Sequence, residues 1–342
     1  MGFPVAVIGA GSFGTCLAIL TARHSDVALW ARSHEVAEAI NRERRNPRYL
    51  SDLEIPGSIQ ASDDLEAALR DRELVICAVP SHNLRQVMRR AAPFLSPDAV
   101  LVSAVKGIEY ESGMTMHRVL QDVLPELYHP RIVCLSGPSF AREIAEHKAT
   151  VVTLACREEP YAISVQDTLS CSWFRCYTST DVVGVEIGGA LKNTIAIATG
   201  MGDALQAGDN TRAALMTRGL AEITRLGVKL GADPSTFLGL SGMGDLLLTC
   251  TGDQSRNRRV GLALGEGREL REIVEELGQV AEGVRTTRAA CRLANKLGVE
   301  LPICNMVRQV LDGELTPAQA GHDLMTRQLR SERDEDWPRS RH

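Results

Sequence analysis

The first turn of this 342-residue chain constrains its fold more than any other feature. The apolar run Val5-Ala6-Val7-Ile8 leads directly into Gly9-Ala10-Gly11-Ser12-Phe13-Gly14, and a helix-forming stretch follows from Phe13. Gly-x-Gly-x-x-Gly alone is a weak pattern. Between a strand and a helix, each glycine acquires a physical role. Gly9 permits the tight turn, Gly11 lets the backbone approach a pyrophosphate, and Gly14 lets the helix lie close on the strand. The helix N-terminus, with Ser12 and Phe13 at its start, offers unpaired N–H groups and a partial positive charge to phosphates. The chain therefore opens on a dinucleotide-binding unit.

The next 150 residues agree. Apolar runs recur at Val5–Ile8, Val27–Trp30, Leu74–Val79, Val100–Ala104, Ile132–Leu135 and Val151–Leu154. They are apolar throughout rather than alternating, as parallel strands covered on both faces are. Helical segments separate them, such as Phe13–His24, Asp63–Leu69 and Leu84–Phe94. The expected fold is α/β, with an N-terminal Rossmann-like doubly wound sheet. From Asp181 on, helical patterns take over, at Val183–Thr199, Thr211–Leu230, Val284–Leu297 and Ile303–Leu311. Pro302 and Thr316-Pro317 mark the starts of the last helices. The chain is long enough for two cores. The expected division is a dinucleotide-binding domain at 1–180, an all-α substrate-binding and catalytic domain at 181–330, and a charged, proline-broken tail at 331–342.

Composition removes several classes of function. The net charge is −5 and aromatic residues make up 4% of the chain, a poor match to a nucleic-acid binder. The nine cysteines form no Cys-x-x-Cys pair, and the eight histidines include no His-Glu-x-x-His, so no metal is expected. Several cysteines sit inside apolar runs, as buried thiols of a reducing compartment do. No signal peptide is recognisable and no apolar stretch approaches a membrane span, which predicts a cytoplasmic protein.

The end of the second strand discriminates between nicotinamide cofactors. An acid there would bind the ribose hydroxyl of NAD, whereas an arginine suits the extra phosphate of NADP. The sequence reads Trp30-Ala31-Arg32, which favours NADPH while leaving NADH possible.

Five polar features stand out on the substrate side. Ser103-Ala104-Val105-Lys106-Gly107 and Ser136-Gly137-Pro138-Ser139-Phe140-Ala141 follow apolar strands, where doubly wound sheets bind ligands. The others are Gly188-Gly189-Ala190-Leu191-Lys192-Asn193, Ser241-Gly242-Met243-Gly244-Asp245 and Ser255-Arg256-Asn257-Arg258-Arg259. Lys192 lies among Val185, Ile187, Ala190, Leu191, Ile195 and Ile197. A lysine in such a helix is costly to bury unless it is paired or neutral. Desolvation or a second lysine would lower its pKa and make it a base near neutral pH.

These motifs, together with Val79-Pro80-Ser81-His82, resemble NAD(P)-dependent glycerol-3-phosphate dehydrogenase of the bacterial type, from about residue 5 to residue 325. The resemblance implies sn-glycerol 3-phosphate and dihydroxyacetone phosphate as substrates, a supply of glycerol 3-phosphate for glycerophospholipid synthesis, and a homodimer. It implies Lys192 as the proton acceptor. It places Lys106, Gly137, Ser139, Asp245, Ser255, Arg256 and Asn257 around the substrate, Arg256 and Asn257 at its phosphate. It places Ser12, Phe13, Arg32, Lys106, Ala141, Arg256, Val280 and Glu282 at the cofactor, with Tyr49 a weaker candidate. Phe13 departs from the tyrosine or tryptophan of many relatives but keeps a flat ring. In this scheme Lys106 assists Lys192 and depresses its pKa. Two other readings stay open: a Rossmann-plus-helical dehydrogenase of hydroxy acids, and an NADPH-binding redox sensor without turnover, which would have no need of Lys106 and Lys192.

Overall fold

The structure is a computed structural model that describes residues 3–277, 281–329 and 331–332. The chain divides between Glu186 and Ile187 into two compact units. Val280 and most of the expected tail, 333–342, lie outside the described residues.

The first unit is built on one eight-stranded sheet in the order β3-β2-β1-β4-β5-β6-β7-β8. The strands are β1 Val5–Ile8, β2 Val27–Trp30, β3 Ile59–Ser62, β4 Leu74–Cys77, β5 Val100–Ser103, β6 Ile132–Ser136, β7 Thr150–Ala155 and β8 Phe174–Ser179. The six strands from β3 to β6 run parallel, so their carboxyl ends share one edge. The order reverses at β1, with β2 on one side and β4 on the other, and the glycine-rich turn leaves from this switch point.

The two faces of the sheet explain the continuous apolar runs. Val5 and Val7 pack on one face with Leu17, Leu20, Leu29 and Ile40. Ala6 and Ile8 pack on the other with Leu69, Leu84, Met88 and Leu120. Successive side chains point to opposite faces of a strand, so helices on both sides require apolar residues at every position.

Two strands and one direction differ from the sequence expectation. β3, Ile-Gln-Ala-Ser, and β8, Phe-Arg-Cys-Tyr-Thr-Ser, alternate buried and exposed residues and form the two edges of the sheet. Neither presents a continuous apolar run. β7, expected parallel, pairs antiparallel to β6, with Leu135 opposite Leu154. The connection between them holds only the short helix Ala141–Ala145, too little to carry the chain back across the sheet for a parallel return.

The second unit is helical. Its main elements are most of Val182–Ala204, then Gly208–Lys229, Asp245–Thr251, Arg256–Gly265, Leu270–Leu277, Glu282–Leu297, Pro302–Leu311 and Pro317–Met325. Thr316 caps the last of these in a reciprocal box with Gln319. Val182–Ala204 corrects one expectation. Its 23 residues are long and apolar enough to cross a membrane, yet 89% of its apolar window is buried inside the protein. It is a core helix. Gly200 and Gly261 bring it against Arg256–Gly265 backbone to backbone: a methyl group on Gly261 would lie 2.1 Å from the Ile197 carbonyl oxygen.

Candidate active site

Around the glycine-rich turn, backbone geometry imposes the residue types. Gly9 has φ +118°, and a methyl group there would lie 2.7 Å from the Ala78 carbonyl oxygen. A methyl group on Gly14 would lie 1.8 Å from the Gly9 carbonyl oxygen. Gly11, by contrast, faces open space, with nothing within 4 Å of where its Cβ would be. It is also the N-cap of the helix Ser12–Thr21 and contributes no side-chain cap, so the first N–H groups face outward from Gly11 and Ser12. This cradle fits a pyrophosphate. The side chain of fully buried Asn46, which sequence reasoning missed, braces it. Its Nδ2 donates to the Ala10 carbonyl and to Thr15 Oγ1, both at 2.9 Å. Nothing in Asn46-Pro47 distinguishes it from a turn residue.

The other cofactor candidates of the first unit surround this end of the sheet. Phe13 is half-buried on the core. Arg32 lies two residues past β2 and is exposed, with no side-chain hydrogen bond or ion pair among the described residues. Its neighbour His34 is engaged with Asp63 at 3.2 Å and Glu38 at 3.4 Å, and the Asp63 hydrogen bond foremost raises its pKa. Tyr49 is half-buried, and its backbone N–H donates to Asn46 Oδ1 at 3.2 Å. Ala141 opens the helix after β6. At the carboxyl ends of β5 and β6, the Gly137 carbonyl accepts from Lys106 Nζ at 3.3 Å and from Ser139 Oγ at 2.9 Å. Lys106, Gly137 and Ser139 thus form one cluster.

In the second unit, Lys192 is 7% exposed and Asp245 is completely buried. Lys192 Nζ donates to Asp245 Oδ1 in a short ion pair and to Thr249 Oγ1 at 2.9 Å. The lysine is therefore paired, the first of the two options its helix allowed. Thr249 is a site residue that sequence reasoning missed. It follows Asp245 by four residues, so both project from one face of Asp245–Thr251.

Gly188 makes this pairing possible. A methyl group there would lie 2.5 Å from the Ser241 carbonyl oxygen, so the π-turn Leu240–Gly244 lies directly against the lysine's helix. Asp245 follows that turn at once. Gly188→Ala is expected to force the turn away and destabilise the protein by about 1–3 kcal/mol, as overpacked sites do. A urea midpoint checks this; an unchanged midpoint would show that the turn yields freely.

Asn193, next to Lys192, continues the site. Asn257 Nδ2 donates to Asn193 Oδ1 at 2.9 Å, and Asn257 Oδ1 accepts the Gly283 N–H at 2.9 Å. Asn257 is buried and ties three helices together. Ser255 is buried and caps Arg256–Gly265, accepting the Arg258 N–H at 3.2 Å. Arg256 opens that helix and is exposed, and Arg258, two residues on, is held by Asp203 at 2.8 Å and Asp253 at 3.0 Å. Glu282 is half-buried at the start of Glu282–Leu297, beside Gly283. Lys192, Asp245, Asn257, Ser255 and Arg256 thus belong to one neighbourhood, in which Asn193 links the lysine to the Arg256–Gly265 helix. Among the described residues, no three His, Cys, Asp or Glu side chains gather as a metal site would require.

The family model described as NAD-dependent glycerol-3-phosphate dehydrogenase N-terminus matches residues 4–162, and the corresponding C-terminus model matches residues 181–322. The chain belongs to the NAD-dependent glycerol-3-phosphate dehydrogenase family. Glycerol-3-phosphate dehydrogenase [NAD(P)+] of Myxococcus xanthus is 52% identical over 328 residues, covering 96% of this chain and 98% of that one. The enzyme of the same name from Syntrophobacter fumaroxidans is 49% identical over 332 residues, covering 97% and 98%. Among solved structures, the glycerol-3-phosphate dehydrogenase of Coxiella burnetii superposes with a TM-score of 0.90 at 37% identity, covering 95% of this chain and 99% of that one. The family of nicotinamide-dependent oxidoreductases thus accounts for both units, the Rossmann sheet and the helical portion.

Proposed function

We propose that this protein interconverts dihydroxyacetone phosphate and sn-glycerol 3-phosphate, with NADPH preferred and NADH accepted, and so supplies glycerol 3-phosphate for glycerophospholipid synthesis. The buried Lys192–Asp245–Thr249 cluster carries the reading. A sensor that only binds a nucleotide has no use for a desolvated, hydrogen-bonded lysine beside a phosphate-binding helix start.

The bound nicotinamide supplies the hydride chemistry; the protein supplies position, charge and a proton. Lys192 Nζ holds the proton that the ketone oxygen needs on reduction and takes the hydroxyl proton on oxidation. Asp245 and Thr249 fix Nζ in place, which is how a flexible four-carbon side chain becomes a defined acid. Arg256 binds the substrate phosphate, helped by the N–H groups at the start of Arg256–Gly265. Asn257 sets the position of that helix start through Asn193 and Gly283. Lys106, Gly137 and Ser139 are the first unit's substrate residues. Gly9, Gly11, Ser12, Phe13, Gly14, Arg32, Tyr49, Lys106, Ala141, Arg256, Val280 and Glu282 serve the cofactor. The reading includes a homodimer, checked by sedimentation, and a cytoplasmic location, in keeping with nine unpaired cysteines.

The deciding assay follows NADPH oxidation with dihydroxyacetone phosphate against 2- and 3-oxo acids. Turnover only with the oxo acids would move the protein to another class of dehydrogenase, and none with either would favour the sensor. Arg32 sets the cofactor preference in this reading. Arg32→Ala is expected to lower kcat/KM for NADPH by about 1–3 kcal/mol, the value of a hydrogen bond to a charged group, and to leave NADH nearly unchanged. Equal losses for both cofactors would make Arg32 a structural residue.

A further inference from the structure

The carboxyl ends of β5 and β6 enclose a small cavity of about 10 Å³, lined in part by Ser103, Lys106, Ser136 and Glu186. A space of that size admits one water if polar groups surround it. Ser103 and Ser136 are each 2% exposed, and neither hydroxyl has a hydrogen-bond partner among the described residues. Buried hydroxyls rarely stay unpartnered, and two of them facing one cavity point to a shared third group. Lys106 and Glu186 supply opposite charges in the same wall.

We propose that Ser103, Ser136 and Glu186 hold one ordered water against Lys106, and that Glu186 acts through it as a positioning residue for the lysine's ammonium group. The proposal rests on the reading of Lys106 as a substrate-binding residue. A bridging water transmits a hydrogen bond nearly as well as direct contact, so a carboxylate on its far side restrains Nζ without touching it.

Glu186 is well placed for this. One carboxyl oxygen accepts the His117 N–H at 2.7 Å and fixes the side chain. Burial pushes its pKa up to about 7, against the lowering effects of Thr115, the His117 N–H, Cys134 and the Arg118 charge. The groups around its carboxyl are thus Cys134 from β6 and Thr115, His117 and Arg118 from the helix Met116–Val123 and its cap, while Lys106 lines the same cavity from the loop after β5. His117 is itself held down to about 4 by burial, so it stays neutral while Glu186 titrates. As pH rises through 7, Glu186 gains the charge that holds Lys106.

The test is Glu186→Gln, which keeps the shape and the acceptor for His117 but cannot ionise. KM for dihydroxyacetone phosphate should match the parent at pH ~6, where Glu186 is protonated, and exceed it about fivefold at pH ~8.5. Ser103→Ala with Ser136→Ala should raise KM by a similar factor at the higher pH, and add little in the Glu186→Gln background, because both act through one water. If the serine pair fails to fold, the pH series on Glu186→Gln still decides. A parent-to-variant ratio that is the same at both pH values overturns the proposal, as do fully multiplicative effects of the two changes. Lys106→Ala separates the two levels. If it raises KM while Glu186→Gln changes nothing, only this inference fails. If it leaves KM unchanged, the substrate role of Lys106 fails as well.

Discussion

Lys192→Ala is expected to lower kcat by about 10²–10⁴-fold, the range for a lost general acid or base, with NADPH binding retained. The expectation comes from the geometry of Nζ, held by Asp245 and Thr249 on a core helix. A rival explanation must be removed first. The substitution removes a cation from the fully buried Asp245, and breaking a buried pair typically costs about 3–5 kcal/mol of stability. Activity could then fall through local unfolding alone. The control is Lys192→Met with Asp245→Asn, which fills the volume and removes the stranded charge. If stability recovers and turnover does not, the proton role stands. Recovery of turnover along with stability, or a Lys192→Ala enzyme within threefold of the parent (a difference of ~0.6 kcal/mol in barrier), would assign the proton to another group.

Much of this arrangement was readable in the sequence, because the features that carry it are local. The Gly9–Gly14 turn follows one strand and opens one helix, so its geometry is written in six consecutive residues. The buried parallel strands were visible as continuous apolar runs. The edge strands β3 and β8 were not, since their alternating residues resemble loops or half-turns of helix. The antiparallel β7 escaped because direction depends on the length of the connection, not on the strand's own composition. At the site, Lys192 announced itself as a charge in an apolar helix, but its partner is 53 residues away. No periodicity reports that distance. Asn257 shows the same limit. Its amide bonds to Asn193 and Gly283, 64 and 26 residues away, partners that no local motif reports. Arg258 is similar: its partner Asp203 lies 55 residues away, a pairing that no local pattern reports.

Arg256 is the second target. Arg256→Ala is expected to weaken use of dihydroxyacetone phosphate by about 1–3 kcal/mol, the value of a hydrogen bond to a charged group at an exposed side chain. Its position supports this. Arg256 is the first residue of its helix, the next residue is hydrogen-bonded to Asn193, and Asn193 adjoins Lys192. In the proposed reading, a substrate whose carbonyl meets Lys192 would extend its phosphate toward the start of this helix. Arg256→Lys should recover only part of the loss, because an ammonium is a point charge and cannot match two phosphate oxygens as a planar fork does. Arg258→Ala should instead act on stability, releasing Asp203 and Asp253. The decisive comparison uses unphosphorylated dihydroxyacetone. It carries no phosphate, so Arg256→Ala should scarcely alter its already poor kcat/KM. A matching fall for both substrates would mean that Arg256 supports the fold or the cofactor, and that the phosphate is bound elsewhere.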